Sequence, residues 1–184
     1  MGAASTRPGR GWVSVEPVFV LGIDPGLTRC GYGAVRRVGA VLSAAAAGVL
    51  TTSPDDELPD RLGELQLGLR ALIVELRPDV VAVERVFFQT NVRTAMSVGQ
   101  ASGLALAEAV NAGCAVAQYT PNEVKLAVTG HGAAPKEQVQ RMVQAQLALA
   151  EVPRPPDAAD ALALALCHLA TARLRTSVDR AAAR

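Results

Sequence analysis

Two rhythms of hydrophobic residues alternate along the chain. Continuous apolar runs of strand length occur at Phe19 to Ile23 and Val80 to Val83, and a fifth strand is expected over Ala115 to Tyr119; the first two are bounded by turn residues. Such runs, bounded by turn residues, mark strands buried on both faces. Between the first two lie a segment from about Gly31 to Val38 and another from Val41 to Thr52, separated by the turn Gly39-Ala40. With the first run they read as an antiparallel meander. Ala44 to Ala47 would also suit a helix, and the short flanking turns favour a strand. The other rhythm is helical. Leu58, Leu62, Leu65, Leu69, Leu72, Ile73 and Leu76 recur at three- and four-residue spacing, predicting a helix over Leu58 to Leu76 with one stripe against the sheet.

Further helices are expected over Val92 to Asn111, from Thr120-Pro121-Asn122-Glu123 to Val128, from Lys136 to about Ala150, and from Asp157 to about Leu174. The alternation Leu162, Leu164, Leu166 mimics a strand, but the alanine content and the Pro-then-Asp opening decide for a helix. A helix joining the meander to the strand at Val80 implies a right-handed crossover, which lays that strand parallel to an earlier one. The fold class is therefore α/β, a mixed five-stranded sheet flanked by helices.

Composition narrows the class. Half of the 184 residues are hydrophobic and only 3% aromatic, so the core is built from Ala, Val and Leu. Net charge is +1, unlike the strong basicity of a generic nucleic-acid binder. Cys30, Cys114 and Cys167 are scattered and odd in number, with neither disulfide nor zinc spacing, which points to reduced thiols and a cytoplasmic protein. Residues 1–16, rich in Gly, Arg, Ser and Pro, read as a disordered N-terminal extension. A single domain is expected over 17–175 and a flexible tail over 176–184. No run is long enough to span a membrane.

The candidate chemistry lies where apolar runs end. The first strand ends on Asp24, before Pro25-Gly26, and the strand from Val80 ends on Glu84. Parallel pairing of the two would bring both carboxylates out at one sheet edge, the usual ligand position in open α/β sheets. Asp157 and Asp160, three apart at a helix start, share a face. Taken alone, each has a bland reading as a turn or helix-start carboxylate. Together, four carboxylates repel strongly unless they surround a cation. Mg²⁺ prefers hard oxygen ligands, and two such ions suit in-line phosphoryl displacement.

Gly22-Ile23-Asp24-Pro25-Gly26 with Gly31-Tyr32-Gly33, then Val83-Glu84-Arg85-Val86-Phe87, then Asp157-Ala158-Ala159-Asp160-Ala161-Leu162 resemble the RuvC family of Holliday junction resolvases. Order and spacing match from about Val18 to Leu174. The resemblance implies an RNase H-like fold, a homodimer, and Mg²⁺-dependent paired nicking of four-way DNA junctions in recombination and repair. It further implies two metal ions per site, with Mn²⁺ as a substitute, and a metal-activated water attacking the scissile phosphodiester. Residue by residue, Asp24, Glu84, Asp157 and Asp160 match the family's metal-binding, catalytic carboxylates. Lys125 and Lys136 match basic residues near the scissile phosphate, and Phe87 an aromatic that stacks on a base at the crossover. A branch-migration motor of the RuvA/RuvB kind is the partner the family implies. Without the family, the lysines read as solvated helix-start residues and Phe87 as core. Arg29, Arg36 and Arg93 are candidates for backbone phosphates, while His131 and His168 read as structural. The sequence departs from the family pattern in its N-terminal extension and its weak positive charge.

Three other readings compete. An actin- or hexokinase-like nucleotide-binding domain also opens with an Asp-x-Gly turn, but needs about twice this length. A different RNase H-like nuclease acting on linear nucleic acid would share the carboxylates; Phe87 and the dimer separate it from a resolvase. A non-catalytic interaction domain would be expected to lack some of the four acids.

Overall fold

The computed structural model describes residues 18–85 and 92–182, with side chains for 18–85 and 95–172. Residues 1–16, Phe87 and the side chain of Arg93 lie outside that set. The strands are β1 (Val18–Asp24), β2 (Arg29–Val38), β3 (Val41–Thr51), β4 (Val80–Glu84) and β5 (Ala115–Tyr119). The helices are α1 (Leu58–Leu76), α2 (Val92–Asn111), α3 (Pro121–Thr129), α4 (Lys136–Gln146) and α5 (Pro156–Ala182). The sheet order is β3-β2-β1-β4-β5. β1 pairs antiparallel with β2 and parallel with β4, and β4 pairs parallel with β5. This is the meander followed by crossovers that the hydrophobic rhythm predicts. The alanine run of β3 pairs with β2 along its length, with a register shift at Ala34/Val35, so pairing overrides its helical propensity.

The central strands are apolar because both faces are covered. Val20 and Ala82 face a core completed by α3, α4 and α5, and Leu21, Ile23, Val81 and Val83 face one completed by α1 and α2. Asp79 fixes the register where the two parallel strands begin. Its carboxylate accepts the Phe19 backbone N–H at 2.7 Å, and its own N–H donates to the Phe19 carbonyl at 2.9 Å.

α5 explains the ambiguous leucine alternation. From Ala158 to Leu166 almost every residue is buried, because α5 lies on β1 and β2 with α3 and α4 packed on it. A helix covered all round has no polar face to reveal its period. Three glycines let it approach. A Cβ on Gly22 would collide with the Ala161 backbone, one on Gly31 with the Asp157 backbone, and one on Gly33 would lie 2.6 Å from the Leu162 nitrogen. α5 continues to Ala182, past the end expected at Leu174, as no Gly or Pro follows to stop it. α4 stops at Gln146, short of Ala150. Ala148 there turns left-handed at φ 49°, and the Gln144 amide donates to the Leu149 and Ala150 carbonyls. Among the described residues no helix is long and apolar enough to cross a membrane.

Candidate active site

Strand register places the first two acids. Ile23 of β1 lies beside Val83 of β4, so the next residues, Asp24 and Glu84, leave the sheet side by side. On the other flank Asp24 pairs with Gly31 of β2. Because Gly31 has no side chain, the Asp157 backbone rests against it, and the first turn of α5 hangs over the edge where β1 ends. Asp160, one turn on, lines a cleft of about 220 Å³ with Glu84, Lys125, Lys136, Val124 and Val139. The cleft brings four of the residues singled out in the sequence to one place, and Asp24 and Asp157 adjoin it through their fields.

Those fields are visible in the acids themselves. Burial first, and then the charges of Glu84, Asp160 and Asp157, push the Asp24 carboxyl up from 3.8 to about 7, against a smaller opposing pull from Lys136. Burial also raises Glu84, helped by Asp160 and opposed by Lys136 and Lys125. The outer pair is compensated differently. Lys136 Nζ donates to Asp160 Oδ2 at 2.6 Å, a bond that raises the lysine. Arg29 donates from Nε and Nη2 to Asp157 Oδ2 at 3.1 and 2.8 Å. Among the described residues, ion pairs thus reach Asp157 and Asp160 but not Asp24 or Glu84.

This donor set fits a hard divalent cation. All four groups are carboxylates, and the two inner ones are buried beside like charge, which a dication at the edge would relieve. Among the described residues no three Asp, Glu, His or Cys groups are yet gathered as a coordinating cluster. One oxygen of each outer acid, Oδ2, is engaged by Arg29 or Lys136.

The lysines come from well-formed helix starts. Thr120 and Glu123 make a reciprocal capping box at α3, with Glu123 N–H to Thr120 Oγ1 at 3.2 Å and Thr120 N–H to Glu123 Oε2 at 2.7 Å, which directs Lys125 to the cleft. Lys136 is the first residue of α4. Arg36 lies elsewhere: it pairs with Phe19 at the far end of β1, its guanidinium 4.4 Å from that ring. His168 Nδ1 and the Tyr119 hydroxyl share a hydrogen bond at 2.9 Å. The partnership of Arg29 with Asp157 was not foreseen. The available signal was its position two residues before Gly31, hence on the same sheet face.

Comparison with known proteins agrees with this geometry. The family model described as "Crossover junction endodeoxyribonuclease RuvC" matches residues 20–168. The crossover junction endodeoxyribonuclease RuvC of Salinispora arenicola is 56% identical over 167 residues, 88% of this chain and 95% of that one. That of Chloroflexus aggregans is 53% identical over 152 residues, 83% and 93% of the two chains. Thermus thermophilus RuvC, solved in complex with Holliday junction substrate, superposes with a TM-score of 0.81 at 41% identity, covering 86% of this chain and 97% of its own. The five-stranded mixed sheet is thus an RNase H-like fold, and since the matched region runs from the first strand to the last helix, through every acid at the sheet edge, the chain belongs to the RuvC family of crossover junction endodeoxyribonucleases.

Proposed function

We propose that this protein is a Holliday junction resolvase, an endonuclease that makes paired, symmetric nicks in four-way DNA junctions during homologous recombination and repair. The observation that carries the reading is the convergence of Asp24, Glu84, Asp157 and Asp160, from three separate elements, on one sheet edge beside two lysines. The similarity to a RuvC solved with a Holliday junction supports the substrate.

Membership of this nuclease family implies dependence on a divalent metal. We take Mg²⁺ as that metal, two ions per site, with Mn²⁺ as a substitute. Asp24 and Glu84 would hold the ions from the inner side and Asp157 and Asp160 from the helix side. When bound, such ions supply an activated water and charge compensation for in-line displacement at phosphorus. The remaining steps belong to the chain. Lys125 and Lys136 bind the scissile phosphate, and Lys136 offsets the negative charge that grows there in the transition state. Val124 and Val139 keep water from that side of the cleft. Phe87 stacks on a base at the crossover and holds it unpaired.

Paired nicks require two sites related by symmetry, so the working form is a homodimer. We place its interface on α2, where Met96 and Val110 are more than half exposed. The motor feeding it junctions is of the RuvA/RuvB kind. Free thiols at Cys30, Cys114 and Cys167 fit a cytoplasmic site of action.

The test separates binding from cutting. In a gel shift with chelator, wild type and Asp24→Asn should bind a four-way junction alike. With Mg²⁺ only wild type should cut it. Cutting by Asp24→Asn, or a monomer by light scattering at working concentration, would contradict the reading.

A further inference from the structure

The geometry points to Arg29 as an exchangeable counter-ion that competes with the divalent metal for Asp157. The inference rests on the metal-dependent reading above.

Arg29 opens β2, and its side chain shares a sheet face with Gly31, against which the Asp157 backbone lies. Its guanidinium directs two donors at a single oxygen, Asp157 Oδ2, at 3.1 and 2.8 Å. Those two bonds occupy lone pairs that a cation could otherwise use, and a guanidinium beside a dication is repelled by it. Both partners reach solvent, with side chains 48% and 29% exposed, so the pair opens without disturbing the core. The neighbouring contacts anchor the strand start independently. Arg61 donates to Thr28 Oγ1 at 2.7 Å and to Thr52 Oγ1 at 3.1 Å, and the Thr52 hydroxyl donates to the Leu27 carbonyl at 2.7 Å. Arg29 is therefore not needed to hold β2 in place.

The two cations of the site differ in reach. Lys136 also favours the charged forms of Asp24 and Glu84 and faces the cleft with Lys125. Arg29 approaches from the opposite flank and meets Asp157 alone of the four acids through a hydrogen bond. In the metal-free protein it keeps Asp157 Oδ2 compensated. A metal that takes Oδ2 breaks that pair, so Arg29 is a positioning residue that weakens the protein's affinity for the ion.

The experiment measures Mn²⁺ binding to the full chain without DNA, by electron paramagnetic resonance at neutral pH. It compares wild type, Arg29→Gln, Arg29→Lys and Asp24→Asn. Arg29→Gln should bind Mn²⁺ about two- to fivefold more tightly, the scale of an exposed ion pair. Arg29→Lys keeps the charge but loses the fork, and should fall between. In wild type, the Arg29 Nε–H resonance should shift during a Mg²⁺ titration with the midpoint of ion binding, a readout that needs no variant to fold. Arg29→Gln binding Mn²⁺ no more tightly than wild type, or an Arg29 resonance that stays still as Mg²⁺ saturates, would overturn the role of Arg29 alone. Wild-type binding that is absent, or undiminished in Asp24→Asn, would overturn the metal reading and this inference with it.

Discussion

Asp24→Asn should make the metal-free protein more stable while it disables the site. The Asp24 carboxyl is lifted from 3.8 to about 7 by burial and by three neighbouring acids. A raised acid favours its neutral form in the folded state, so its contribution is intact below about pH 4 and is lost as pH climbs through 7. About three pH units at ~1.4 kcal/mol each make about 4 kcal/mol of destabilisation at pH 8. Asparagine keeps the shape and removes the charge. At ~2–4 °C per kcal/mol for a chain of this size, the variant should melt about 10 °C higher at pH 8 in chelator. The gap should narrow steadily towards pH 4, and Mg²⁺ should raise the wild-type melting temperature more than the variant's. Calorimetry at several pH values, with chelator or Mg²⁺, measures all of this. A variant no more stable than wild type at pH 8 in chelator would show that burial and the neighbouring acids do not penalise the charged Asp24 as the structure implies.

Three further outcomes follow from the same geometry. Because metal must displace a proton from Asp24, the Mg²⁺ concentration for half-maximal cutting should rise as pH falls below about 7, up to tenfold per unit; a flat requirement between pH 8 and 6 would contradict the raised carboxyl. Gly31→Ala should push the first turn of α5 off the sheet, costing about 1–3 kcal/mol by thermal melting and most of the cutting; an active variant of wild-type stability would mean Asp157 is not held by that contact. Phe87→Ala should slow junction cutting about tenfold or more with little change in melting temperature, whereas a large stability loss would return Phe87 to the core.

Much of the site was legible because strand ends are legible. Asp24 and Glu84 each close an apolar run, and crossover handedness leaves parallel pairing as the natural outcome, which β1 and β4 adopt. Lys125 and Lys136 were singled out by the family resemblance rather than by their helix-start positions, and both line the cleft. What the sequence hid depends on contacts between distant segments. Arg29 and Asp157 are far apart in the chain, and nothing local marks an arginine as the partner of one acid rather than of DNA. Nothing local marks Asp79 as a tie between strands, yet its carboxylate accepts the Phe19 N–H at the start of β1. α5 concealed its period because neighbours cover every side. Helix ends were least legible, since α4 stops through its own cap and a left-handed Ala148, a conformation that alanine does not advertise.

The most direct measurement is cleavage of an end-labelled four-way junction by wild type and Asp24→Asn, with Mg²⁺ or chelator, beside a linear duplex of the same sequence. Mapping the cuts on all four strands reads both substrate choice and symmetry. Paired nicks at equivalent positions on two opposing strands are expected only in the junction, only with metal and only in wild type. Equal cutting of the duplex, or nicks without two-fold symmetry, would contradict the assignment as a junction resolvase.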